Sequence, residues 1–135
     1  FWTHELYEGP KGEKVIVEYT ANISDGEVLA KKFLGEPVLG FDMEWEYGHL
    51  KGQKDDWNIA LIQMACETRI GLFHIARHKG DRLEDKLAPT LRVIIEDMNV
   101  LKVGSCITKA DFSRLRNRFE GLNPRNPQDL GPMHK

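Results

Sequence analysis

The sequence predicts an α/β domain in which an antiparallel meander is extended by parallel strands into one mixed sheet with flanking helices. Two observations predict this class. Hydrophobic periodicity gives the order strand, helix, three strands, helix, strand, helix. The three consecutive strands have no helix between them, as antiparallel neighbours require, whereas the next strand follows a helical crossover and should run parallel.

Composition limits the class of protein further. The chain has 135 residues, 41% of them hydrophobic and 30% charged, which suits one globular domain. The net charge of -2 excludes a protein that coats nucleic acid with a broad positive surface, but not an enzyme that holds phosphates through metal ions. No apolar run is long enough for a membrane span, and no signal-peptide pattern opens the chain. Cys66 and Cys106 lie in apolar runs and are typical of reduced core residues. We therefore expect an intracellular protein, nuclear or cytoplasmic, without a membrane partner, and we expect the chain, which begins at Phe1, to be a segment.

The first two elements are a strand and a helix. Residues 14–20 alternate in polarity, which predicts a half-buried strand. Ser24 and Glu27 have the spacing of a capping box and predict a helix that runs to Leu34. Its expected inward residues are Val28, Leu29 and Phe33.

Later elements follow the same reasoning. Nearly continuous apolar runs predict strands at 59–67 and 70–76, with a solvent loop at 46–58 before them. Apolar residues at helical spacing predict an amphipathic helix, namely Leu87, Leu91, Ile94, Ile95 and Met98. A short buried strand follows at 100–106, and then a helix with a capping box from Thr108 and with Phe112, Leu115 and Phe119 facing inward. Residues 122–135 carry proline and glycine and predict an irregular tail.

The strand Val38–Trp45 carries two acids where apolar residues are expected. Because strand side chains alternate, Leu39, Phe41, Met43 and Trp45 share one face. Asp42 and Glu44 share the other, with no basic residue between them. Hard oxygen ligands of this kind suit Mg²⁺ or Mn²⁺, although a solvated edge strand explains the same spacing equally well.

A third acid, Asp111, lies in the first turn of the helix that follows the buried strand 100–106. If that strand lies beside the acidic strand, Asp111 projects toward Asp42 and Glu44. Three acids at one sheet edge provide ligands for two-metal phosphoryl transfer, with metals ~3.5–4 Å apart. The alternative is that Asp111 stabilises its own helix terminus, by about 0.3–1 kcal/mol.

These residues resemble the motifs of the DEDD 3′–5′ exonucleases, whose fold is ribonuclease H-like. Gly40–Trp45 resembles the first exonuclease motif, and Ile59–Gln63 resembles the strand after it. Lys102–Gly104, with Asp111 seven residues after the glycine, resembles the second motif. The branch around the Werner syndrome helicase exonuclease, and its fungal relatives in particular, is similar in three further phrases: Phe1–Trp2, Ile70–Ile75 and Ala110–Arg116.

The resemblance implies roles for named residues. Asp42, Glu44 and Asp111 would bind two Mg²⁺ or Mn²⁺ ions, and Glu44 would also position the attacking water. Met43 and Trp45 would lie near the terminal nucleotide. The reaction would be hydrolysis of the last phosphodiester of DNA or RNA, with release of nucleoside monophosphates from the 3′ end.

Basic residues line the predicted helix after Asp111: Arg114, Arg116 and Arg118, with Lys109 before them. They form a solvated helix face or a surface that contacts substrate phosphates. If the surface contacts phosphates, Arg114 is the residue that we assign to substrate binding. The alternative of a solvated helix face stays open.

One motif of the family is absent. The family has a fourth acid, an aspartate preceded by tyrosine four residues earlier or by histidine five earlier. After Asp111 the acids are Glu120 and Asp129, and Asp129 follows Arg125 and Pro124 at those spacings. We expect a C-terminally truncated, impaired exonuclease domain. The alternative is a catalytically inactive domain that binds nucleic acid or a protein.

Overall fold

A computed structural model describes residues 14–45 and 59–131, and these residues form a six-stranded mixed sheet with helices packed on one face. The spatial order is β1-β4-β3-β2-β5-β6. The strands are β1 Ile16–Thr20, β2 Val38–Trp45, β3 Ile59–Ala65, β4 Arg69–Phe73, β5 Leu101–Gly104 and β6 Pro127–Asp129.

Strand pairing confirms the predicted combination of meander and parallel extension. β2 pairs antiparallel with β3, and β3 pairs antiparallel with β4. β5 runs parallel to β2 on its other side, after the helical crossover. β1 joins the far edge parallel to β4, and β6 joins the other edge parallel to β5. The acidic strand β2 is therefore an interior strand, which excludes the edge-strand reading of its two acids.

The helices are short. They are α1 Ile23–Lys31, α2 Leu83–Lys86, α3 Pro89–Glu96 and α4 Ser113–Arg118, and a 3₁₀ turn occupies Ile75–Arg77. A π-helical segment, Ile107–Phe112, leads directly into α4. None of the helices in the described part of the chain is long and apolar enough to cross a membrane.

The core lies on one face of the sheet, and the alternation of β2 determines which face. Leu39, Phe41 and Met43 are buried against the helices, as predicted. Phe41 meets Phe112 edge to face, with ring centres 5.5 Å apart. Leu115 and Phe119 are also buried, so the predicted inward face of the last helix is confirmed.

The start of α1 differs from the prediction. Asn22 is the N-cap, and its side chain accepts a hydrogen bond from the amide of Asp25 at 2.8 Å. Ser24 lies inside the helix, while Glu27 accepts bonds from the amide and hydroxyl of Thr90 at 2.8 and 2.6 Å. Leu29 and Phe33 are buried as predicted, whereas Val28 is 61% exposed rather than inward.

Predicted lengths also need correction. α3 ends at Glu96, and Met98, expected to face inward, is exposed. Cys106, expected in the core, is also exposed, and Cys66 is half-buried. Thr108 does not cap a helix with its side chain, because the chain is already in the π-helical segment there. The tail predicted at 122–135 is wrong for Pro127–Asp129, which form β6. Proline at the first position of an edge strand is compatible with pairing.

Some predictions fall outside the described residues. The solvent loop at 46–58 and the aromatic residues at the start of the chain belong to this group.

Lys102 is a buried basic residue that the sequence did not predict. Its ammonium group is buried and donates to the carbonyls of Asp97 and Val100 at 2.8 and 2.9 Å. Burial lowers its pKa to about 8. These two hydrogen bonds stabilise the turn between α3 and β5.

Candidate active site

Asp42 and Glu44 lie on the sheet face opposite the helices, and both are exposed. In the register with β3, Asp42 is opposite Gln63 and Glu44 is opposite Leu61. The register shifts immediately after Glu44, where β2 approaches its end. The two acids therefore share one face as predicted, in a position that solvent and ligands can reach.

Asp111 is the acid whose environment is most unusual. Its side chain is 3% exposed, and its Oδ2 atom is buried without a hydrogen-bond partner. Burial is the main cause that raises its pKa to about 7, and the charges of Asp42 and Asp129 raise it further. Arg114 opposes this shift. A buried carboxyl group with an unpaired oxygen is costly, which is typical of a functional site rather than of a helix cap.

The loop after β5 brings Asp111 toward Asp42. β5 pairs with β2 up to Val103, which is opposite Gly40. The chain then turns through Cys106, which has the left-handed backbone conformation with φ 55°, and enters the π-helical segment. After this turn the π-helical segment packs against β2, where Phe112 meets Phe41 edge to face. Asp42 and Asp111, distant in sequence, consequently interact electrostatically.

Asp129, considered from the sequence only as a fourth acid and rejected on its spacing, lies near Asp111. It lies at the end of β6, opposite Gly104 of β5, and its Oδ1 atom accepts a hydrogen bond from the amide of Thr108 at 3.2 Å. The proline and glycine residues around it predict a loop, whereas the structure has a strand of three residues there. No local signal in the sequence marks it, because a strand of three residues that begins at Pro127 depends on its pairing with β5.

A cavity of about 350 Å³ opens beside Asp42 on the same sheet face. Its polar walls come from Asp42, Gln63 and Ser105. Its apolar walls come from residues of four strands and the end of β6: Gly40, Ala65, Ile70, Val103 and Leu130. The acid of β2 therefore borders a space that a small group can enter.

The other predicted site residues are placed differently. Met43 is 4% exposed and its side chain lies on the core face, so its place near the terminal nucleotide stays a prediction of the motif resemblance. Trp45 is only partly buried against the core. The guanidinium carbon of Arg114 lies 4.0 Å from the centre of the Trp45 ring. Because Arg114 also acts on Asp111, it connects the aromatic ring with the acidic site.

Asp42 and Asp111 fit a divalent cation in part. Their carboxylate oxygens are hard ligands, and the unpaired Oδ2 atom of Asp111 is available to one. Within residues 14–45 and 59–131, however, no group of three histidine, cysteine or acidic side chains is arranged to hold a metal ion. Glu44 shares the exposed face of β2 with Asp42 and stays a predicted ligand.

No family model matches the chain, and no curated protein matches it. Solved structures do match. The EXD2 exonuclease domain soaked in Mg and GMP is 27% identical with a TM-score of 0.65, over 86% of this chain and 57% of that one. The same domain soaked in Mn and GMP is 28% identical with a TM-score of 0.62, over 84% and 55%.

A more distant structure has the same fold. The Trypanosoma brucei RNase D complex with RNA U12 is 16% identical with a TM-score of 0.66, over 87% of this chain and 38% of that one. The fold is therefore the ribonuclease H-like exonuclease fold, as predicted. Similarity to exonuclease domains supports a nuclease function in general. The chain spans a little over half of the EXD2 domain, and its place in the Werner-type fungal branch stays a prediction.

Proposed function

We propose that this chain is part of a 3′–5′ exonuclease domain that hydrolyses the terminal phosphodiester bond of a nucleic acid. One observation carries the proposal: Asp42 interacts electrostatically with the carboxyl group of Asp111, whose Oδ2 atom is buried without a hydrogen-bond partner. The likeness to the EXD2 exonuclease domains supports the same reaction class. In the proposed site, Asp42, Glu44 and Asp111 hold Mg²⁺ or Mn²⁺.

The divalent ions would activate a water molecule and stabilise the leaving oxygen. The residues of this chain would hold the ions and orient the water. Asp42 and Asp111 hold the site at a fixed spacing, because one belongs to an interior strand and the other to a buried helical segment. Asp111 has to release its proton to act as a ligand, which its raised pKa makes harder below neutral pH. Glu44, on the exposed face of β2, positions the attacking water.

Trp45 and Arg114 are the proposed contacts for the 3′ end. An aromatic ring stacks on a terminal base without regard to its identity, and a guanidinium group pairs with phosphate. Arg114 is already held over the Trp45 ring, on the side of the site where Asp111 lies. This pair gives affinity for nucleic acid while the net charge of the chain remains -2.

We also propose that catalysis by this chain is weak. The fourth acid of the exonuclease family has no equivalent by motif among the residues after Asp111. The EXD2 chain is longer than the part matched here. A longer form of the protein that supplies a Tyr-x-x-x-Asp motif would be the full enzyme, which we place in the nucleus or cytoplasm, in the Werner-type fungal branch.

A second candidate function is binding without catalysis. It is favoured by the lack, within the described ranges, of any three side chains arranged to hold a metal ion. An inactive exonuclease-like domain would keep the fold and the Trp45–Arg114 surface, and would bind nucleic acid or a protein partner. The two candidates differ in whether a bound 3′ end is shortened.

The testing experiment follows end-labelled single-stranded DNA and RNA, and a duplex with a recessed 3′ end, with Mg²⁺ or Mn²⁺. We expect slow release of mononucleotides that chelation stops and that Asp42→Asn removes. Glu67→Gln, at an exposed acid beyond the end of β3, is the matched control and should keep the rate. Binding without shortening in the presence of either metal would favour the second candidate.

A further inference from the structure

The end of β6 holds both sides of the turn that leads to Asp111. On one side, the amide of Leu130 donates to the carbonyl of Gly104 at 3.0 Å. On the other side, the Oδ1 atom of Asp129 accepts from the amide of Thr108 at 3.2 Å. The residues between Gly104 and Thr108 include Cys106 in its left-handed conformation. β6 thus fixes the turn at its entry and at its exit.

Thr108 lies three residues before Asp111 in the sequence. Both residues belong to the π-helical segment Ile107–Phe112. Within that segment the amide of Ala110 donates to the carbonyl of Cys106 at 2.9 Å. Thr108 and Asp111 are therefore held in one hydrogen-bonded backbone segment. Ile107 and Phe112, fully buried at the two ends of the segment, limit rotation but leave its exposed side near Thr108 to β6.

We propose that Asp129 is a positioning residue of the nuclease site, which keeps the Asp111 carboxyl group beside Asp42 by holding the Thr108 amide. The inference rests on the proposed function. Asp129 acts through its Oδ1 atom, which accepts the hydrogen bond from the Thr108 amide. A strand that looks like an irregular tail in the sequence thereby becomes part of the active-site scaffold.

Two substitutions separate the hydrogen bond from the charge. Asp129→Asn keeps an acceptor oxygen at the same position and removes the negative charge. Asp129→Ala removes both. Gln128→Ala, at the exposed neighbouring position of β6, is the control for the strand itself. The readouts are kcat and KM for a 3′-labelled oligonucleotide, and amide hydrogen exchange at Thr108.

We expect Asp129→Asn and Gln128→Ala to stay close to the unsubstituted protein in kcat. We expect Asp129→Ala to lower kcat about tenfold with KM unchanged, since one hydrogen bond to a charged group is lost and the substrate-binding surface is kept. Exchange at Thr108 should be faster in Asp129→Ala alone. An equal loss of kcat in the Asn and Ala variants would overturn the proposal, because the charge would then be what matters.

The exchange readout keeps the two proposals distinguishable. If the unsubstituted protein releases no mononucleotide, the proposed function fails, and with it the role of Asp129 in catalysis. The exchange rate at Thr108 then still shows whether Asp129 holds the Thr108 amide. If the protein is active and Asp129→Ala has the kcat and the Thr108 exchange of the unsubstituted protein, the positioning role fails and the proposed function stands.

Discussion

Gly104 lies so close to the carbonyl oxygen of Phe41 that a Cβ atom at position 104 would stand less than 3.0 Å from that oxygen. Phe41 directly precedes Asp42, and Gly104 opens the turn toward Asp111. The close approach of the two backbones is therefore what brings the two acids to the same place. A glycine is required there for space rather than for an unusual backbone conformation.

Gly104→Ala should destabilise the fold by about 1–3 kcal/mol and lower any nuclease activity, because the new methyl group pushes the end of β5 away from β2. Urea unfolding measures the first effect. Gly40→Ala is the matched control, since its Cβ atom would meet Ala65 at an ordinary 3.5 Å. Equal unfolding free energies for the two variants would show that the Gly104–Phe41 contact is not limiting.

Asp111→Asn should stabilise the protein at pH 8 while it removes the metal site. The pKa of Asp111 is raised to about 7 in the fold. Between the unfolded pKa of about 4 and this value, the folded protein binds more protons than the unfolded chain, so stability falls as the pH rises. Asparagine cannot ionise, and its stabilising effect should grow across this window to an order of 2–4 kcal/mol.

Unfolding curves at pH 4.5, 6 and 8 test this behaviour. Glu67→Gln removes an exposed acid and should leave the slope of stability against pH unchanged. If the difference between Asp111→Asn and the unsubstituted protein were the same at all three pH values, Asp111 would titrate normally, and its burial beside Asp42 would carry no cost.

Arg114→Ala should weaken binding of nucleic acid more than it slows the chemical step. The guanidinium group is held 4.0 Å from the Trp45 ring centre, beside the site, where it can reach a phosphate. Loss of one phosphate contact should reduce the slope of log K against log salt concentration by roughly 0.7–1. Fluorescence anisotropy with a labelled oligonucleotide gives both values.

Arg116→Ala is the control for Arg114→Ala. Arg116 is exposed on the same helix and donates to the carbonyl of Pro124 at 3.2 Å. We expect its removal to leave the salt slope unchanged. An identical slope for the Arg114 variant and the unsubstituted protein would remove Arg114 from the substrate contacts.

Metal binding by the 135-residue chain should be weak, because no three acids are gathered among its described residues. Calorimetric titration with Mn²⁺ is the direct measurement, and Asp42→Asn should abolish the heat of binding. Tight binding of two ions per chain would contradict this account and would mean that the acids gather without a fourth partner.

The sequence predicts the sheet better than it predicts the helix boundaries. β2 is read correctly from residue to residue, because two-residue alternation around Asp42 leaves one possible face for each side chain. The cap of α1 is misplaced because Asn22 and Ser24 are both good N-caps, and only tertiary contacts such as Glu27 with Thr90 separate them. Local patterns do not contain that information.

The site was predictable only in part for a similar reason. Asp42, Glu44 and Asp111 follow from motif spacing, and the structure brings two of them together. Asp129 does not follow, since a strand of three residues beginning at Pro127 exists only through its pairing with β5. The burial of Met43 follows from its alternation with Asp42 and Glu44, whereas its place near the terminal nucleotide rests on the motif resemblance alone.

The most direct test of the nuclease assignment compares mononucleotide release by the unsubstituted protein and by Asp42→Asn, from a 3′-labelled single strand with Mn²⁺. Asp42 is exposed on an interior strand and its replacement should leave the fold intact, which circular dichroism checks. The account predicts slow, metal-dependent release that falls by at least about a hundredfold in the variant. Equal release by the two proteins would contradict it.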